Sequence, residues 1–96
     1  MTRYTVLWDT VLEQHFVDAW VNSDSDTRSV LTDVANWIDL QLSVDPDVKG
    51  REDARQADLR IFAVPNAAAQ ISIAYRVYPE DRKVLLVRLL FQKPVA

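Results

Sequence analysis

Two long β-type runs, Gln70–Tyr78 and Lys83–Phe91, are separated only by Pro79-Glu80-Asp81-Arg82. So short a connection leaves no room for a crossover, and the two runs must lie antiparallel. Leu59–Val64 reads as a third strand, and Pro65-Asn66-Ala67 turns it into the second. The C-terminal part of the chain is therefore a three-stranded antiparallel meander.

Upstream, Arg3–Trp8 is rich in β-branched and aromatic residues and predicts a strand. Thr10-Val11-Leu12-Glu13 has the form of a capping box, in which hydroxyl and carboxylate each satisfy an orphan amide. Leu12, Phe16, Ala19 and Trp20 follow at helical spacing, which predicts an amphipathic helix to about Val21. The polar break Asn22–Asp26 supplies N-caps for a second helix, with Val30, Leu31, Val34, Trp37, Ile38 and Leu42 on one broad face. That helix must stop near Val44, because Pro46 forces its predecessor into extended geometry. Residues 48–58 are polar and weakly patterned, as in a loop or a frayed edge segment. The order is strand, helix, helix and three strands. It predicts a single α+β domain over residues 1–96 and excludes a βαββαβ arrangement, where strands would separate the helices.

Composition narrows the chemistry. In 96 residues there is no cysteine, one histidine (His15) and one glycine (Gly50). Disulfide frameworks, thiolate zinc sites, histidine-rich metal centres and glycine-rich phosphate loops are all excluded, so no cofactor or metal is expected. The net charge of −3 means that any grip on nucleic acid must come from a local basic patch. No apolar run reaches the roughly 20 residues of a membrane span, and the start of the chain lacks a signal-peptide pattern. The expectation is a cytoplasmic protein.

Strict alternation along the last strand places Leu85, Val87, Leu89 and Phe91 under the helices and Val84, Leu86, Arg88 and Leu90 on the opposite face. Two helices can cover only one face of the sheet. Val84, Leu86, Arg88 and Leu90 are therefore expected to bind a partner or another copy of the chain. In the preceding strand Ile71, Ile73, Tyr75 and Val77 form the apolar set, and Ser72, Ala74, Arg76 and Tyr78 the other. Arg76 and Arg88 beside Tyr78 suit a phosphate or carboxylate, or else pair with acidic side chains of this same chain.

These segments, in this order, resemble the RelE/ParE superfamily of bacterial type II toxins. Tyr4-Thr5-Val6-Leu7-Trp8 is similar to the opening strand of many members. The stretch Ile38–Pro46 resembles their I-D-x-x-L-x-x-D-P helix end, and Leu59–Pro65 resembles the strand that follows. Ala74–Val84 resembles their Y/F-R-V-D-P-D-D-R-x-V hairpin, so the likeness runs along almost the whole chain. It implies a four-stranded antiparallel sheet with two helices on one face, and a cognate antitoxin bound to the sheet face and helices. A homodimer or a toxin–antitoxin heterotetramer would be the assembly. The RelE branch implies cleavage of ribosome-bound mRNA by 2′-hydroxyl attack on phosphate, and the ParE branch implies inhibition of DNA gyrase.

The chain departs from the nuclease pattern. Leu59-Arg60-Ile61 holds one cation where closely spaced lysines are usual, and Gln70 or Ser72 stands where an arginine is usual. Leu90-Phe91-Gln92-Lys93 offers no terminal Tyr or His, and His15 reads as a helix-flank residue. If catalysis occurs, Arg60, Arg76 and Arg88 would stabilise the phosphorane, with Tyr78 or Lys93 near the leaving group. The competing expectation is a non-catalytic protein-binding module derived from the toxin fold.

Overall fold

The computed structural model describes residues 3–56, 58–64 and 70–92. Strand β1 (Thr5–Trp8) leads into helices α1 (Thr10–Val21) and α2 (Ser25–Leu42). A 3-10 turn at Pro46–Val48 precedes β2 (Arg51–Glu52), β3 (Arg60–Val64), β4 (Gln70–Tyr78) and β5 (Lys83–Gln92). This is the expected α+β order, with one addition. The polar segment after Val48 supplies a two-residue strand at the sheet edge. The expected Pro65-Asn66-Ala67 turn and Lys93 lie outside the described residues.

The helices begin on aspartates. Asp9, not Thr10, caps α1: its Oδ1 accepts from the amides of Val11 at 3.1 Å and Leu12 at 3.4 Å. Thr10 is already helical, so the expected capping box does not form. Asp24 caps α2 through the Thr27 amide at 2.8 Å. From α2, Leu31, Val34, Ile38 and Leu42 are buried, at the 3.6-residue period of one helix face. Helix α1 buries none of its residues. It leans on the core through half-buried Leu12 and through Phe16, whose ring meets Trp8 edge-on at 5.1 Å.

The sheet order is β1-β5-β4-β3-β2. The meander is antiparallel, whereas β1 runs parallel to β5, with Val6 opposite Val84 and Trp8 opposite Leu86. The sheet is thus mixed and five-stranded, not the four-stranded antiparallel sheet that the resemblance implied. The intervening helices and strands give the parallel pair the long connection it requires.

One irregularity reorganises both faces. Ala74 stands opposite Arg88 and the next residue, Tyr75, stands opposite Leu86, which leaves Val87 as an extra, unpaired residue. Such a β-bulge reverses the side-chain parity on either side of it. Val84 and Leu86 are consequently core residues at 0% exposure, packed with Ile38, Leu42, Ile73 and Tyr75. The expectation that they lie on the open face fails, because strict alternation does not survive an inserted residue. Beyond the bulge the expected parity holds: Leu89 packs against the core and Leu90 is 56% exposed.

Candidate functional site

The face of the sheet turned away from the helices is built by cross-strand register. Residues directly opposite each other share a face, so Arg51, Ile61, Ala74 and Arg88 form one continuous row across β2, β3, β4 and β5. Three strand spacings separate its ends, about 14 Å between the backbones of Arg51 and Arg88. The neighbouring rows add Ala63, Ser72 and Leu90 on one side, and Leu7, Leu85 and Arg76 on the other. Thr5, Lys83 and Tyr78 complete the face. Among the described residues no helix covers it, and Leu7 (43%), Tyr78 (41%) and Leu90 (56%) are exposed there.

Its cations differ in how far they are engaged. Arg76 Nε lies 3.2 Å from Asp58 Oδ2 in a partly exposed ion pair. The N–H is not aligned on that oxygen, so the contact holds the guanidinium as a charge pair and not as a hydrogen bond. Arg88 is exposed, and no ion pair or hydrogen bond to it occurs among the described residues. It borders a hollow of about 40 Å³ lined by Ile61, Ser72, Ala74 and Leu90. A second hollow of about 280 Å³ lies between Leu7, Tyr78, Asp81, Lys83 and Leu85.

Arg60 is not part of this site. It stands opposite Tyr75 on the helix side of β3, where Nε donates to the Lys49 carbonyl at 2.8 Å and Nη2 to that of Gly50 at 3.3 Å. The buried Tyr75 hydroxyl lies 2.8 Å from both the Pro46 and Lys49 carbonyls. Burial pushes the Tyr75 pKa above its ordinary value, against the opposing pull of the Arg60 guanidinium. Together these side chains pin the loop that turns through Gly50 (φ 66°) and delivers Arg51 to the open face. The expected site residues therefore divide. Arg76, Arg88, Tyr78 and Leu90 share the open face, whereas Arg60, Val84 and Leu86 lie on the other.

Sequence reasoning missed Arg51, because two residues give no alternation to read. A coarser signal was available. Residues 9–48 hold nine of the 14 acidic residues and one of the 11 Lys and Arg residues. The helical layer is therefore acidic, and the cations are left to the sheet half of the chain. His15 is exposed on α1, on the helix side and so apart from the basic row. Among the described residues no cluster of His, Asp and Glu is arranged to hold a metal ion, and no helix is long and apolar enough to cross a membrane.

No protein family and no curated protein matches the chain by sequence. Solved structures do match by shape. A chain of the RelBE2 toxin–antitoxin complex from Mycobacterium tuberculosis superposes with a TM-score of 0.69 at 20% identity, covering 96% of this chain and 94% of that one. A mutant of the E. coli toxin RelE in the free state gives 0.58 at 13% identity, covering 93% and 82%. A RelE mutant bound to a peptide of the antitoxin RelB gives 0.58 at 15% identity, covering 99% and 87%. The chain has the α+β fold of these proteins over nearly its whole length.

Proposed function

We propose that this chain is the toxin of a bacterial type II toxin–antitoxin pair, acting in the cytoplasm as a single domain and held inactive by its cognate antitoxin. The observation that carries this reading is the sheet face that no described helix covers: a basic row on a fold shared with RelE, exposing apolar side chains that a partner would cover. The antitoxin and the cellular target would compete for that face. The family resemblance implies a homodimer or a heterotetramer of two such pairs as the assembly.

Ribosome-bound mRNA fits the face better than DNA gyrase does, because guanidinium groups spaced along a row suit successive phosphates. The equipment for cleavage is thin. Arg88 and Arg51 can neutralise charge on a phosphate attacked by the 2′-hydroxyl, and Tyr78 and Lys83 are the proton-carrying groups on the same face. Among the described residues that face carries no histidine. The chain is therefore read as a weak nuclease, or as a toxin that acts by binding.

Expression without the neighbouring gene should arrest bacterial growth, and co-expression should restore it. Primer extension on translated mRNA should show few or no cuts, and Arg88→Ala should remove both the cuts and the arrest. Normal growth at a high level of folded protein would favour the second reading, a non-catalytic binding module, to which the exposed Leu7 and Leu90 already lend support.

A further inference from the structure

A hollow of about 500 Å³ lies on the side of the molecule opposite the basic row. Half of its lining is apolar, Leu12, Phe16 and Ala19 of α1, Leu31 of α2 and Leu89 of β5, and the other half is polar, His15 and Asp24 included. It exists because α1 packs loosely. None of its residues is buried, and Val11, Val17, Trp20 and Val21 remain exposed along it. A helix with this much unburied apolar surface is an incomplete layer.

Charge decides what completes it. The helices and their N-caps carry seven acids against Arg28 alone, and two of them, Asp18 and Asp26, are the sequence neighbours of the lining residues Ala19 and Thr27. Even that guanidinium is spent internally: it donates to the Trp20 and Val21 carbonyls at 2.8 and 2.7 Å and lies 4.7 Å over the Trp20 ring. Asp24 is the one carboxylate in the lining and no Lys or Arg lines it, so an acidic segment would meet these carboxylates with no Lys or Arg to answer it. We infer that this cleft receives a partner segment that is amphipathic and basic, seating aliphatic side chains on the Leu12–Phe16–Leu31–Leu89 floor and presenting Lys or Arg to the surrounding carboxylates. The inference deepens the antitoxin reading, on which it rests for the partner's identity: one binding segment is basic, distinct in charge from whatever covers the arginine row.

Two synthetic helical peptides with one shared leucine pattern test this on the intact protein, one with lysine and the other with glutamate at every polar position. Amide shift mapping should place the lysine peptide at Leu12, Ala19 and Leu89 and show no binding of the glutamate peptide. Ala19→Trp fills the cleft from an exposed helix position without changing charge, and it should weaken the lysine peptide at least about tenfold. The paired change Asp18→Lys with Asp26→Lys should do the same, thermal unfolding confirming that each variant folds. Absence of binding, equal binding of both peptides, shifts confined to the sheet face, or indifference to Ala19→Trp would each overturn the inference. Growth arrest is a separate readout. A bound lysine peptide with no arrest leaves the cleft assigned and removes the toxin reading, whereas arrest with no bound peptide does the reverse.

Discussion

Tyr75 stands opposite Leu86 in the β4–β5 ladder, although its neighbour Ala74 stands opposite Arg88. The residue skipped between them, Val87, sets which side chains of β5 face the helices and which face away. Leu86→Glu should therefore unfold the protein, because it places a carboxylate at a 0%-exposed position with no partner. Leu86→Ala should cost about 2–5 kcal/mol. Deleting Val87 should leave a folded protein with both faces intact, since the ladder then alternates without interruption. Urea denaturation of the three variants checks the order.

Gly50 adopts φ +66°, and a Cβ there would collide with the Ile61 carbonyl oxygen. Backbone cannot yield as a side chain tip can. Gly50→Ala should destabilise by at least about 1–3 kcal/mol. It should also displace Arg51, visible as altered amide shifts at Arg51 and Ile61.

Arg28 reaches from α2 to the last carbonyls of α1 and covers Trp20. It supplies from a neighbouring helix the positive charge that the C-terminal turn of α1 lacks. Arg28→Ala should lower stability by about 1–2 kcal/mol, and Arg28→Lys should recover only part of that, because one ammonium cannot span both carbonyls and the ring. Thermal melts at fixed ionic strength would show the ranking.

The raised pKa of Tyr75 ties stability to high pH. The folded state holds the phenol proton more tightly than the unfolded chain does, so the contribution is complete below the unfolded value of 10.0. It is lost as the pH rises from there through the folded value. Tyr75→Phe should be less stable at neutral pH, having lost its contacts with the Pro46 and Lys49 carbonyls. Its stability should fall less steeply than that of the natural chain above pH 10. An equal decline in both would assign that loss to other groups.

For the proposed anion face, affinity for single-stranded RNA should fall with salt. Arg88→Ala should reduce the slope of log K against log salt by about 0.7. Arg60→Ala should leave the slope unchanged and lower stability instead, because its guanidinium holds the Lys49–Gly50 backbone. Fluorescence anisotropy across a salt series separates the two arginines.

The element order was legible in the sequence because its signals are local. The Pro79–Arg82 turn fixes an antiparallel hairpin, and the spacing of Leu31, Val34, Ile38 and Leu42 fixes the buried face of α2. The site was only half legible. Arg76, Arg88, Tyr78 and Leu90 could be placed on one face by counting, because the parity in β4 and beyond the bulge is regular. Val84, Leu86 and Arg60 could not. An inserted residue leaves no mark in composition, and in β3 both alternating sets hold apolar residues, so pairing with Tyr75 alone decides where Arg60 goes. The same holds for Arg51, brought into line with Arg88 across three strands. Periodicity within a segment is a property of that segment. Register between segments is set by which pairing buries the most apolar surface across the whole sheet, and only the folded chain makes that choice.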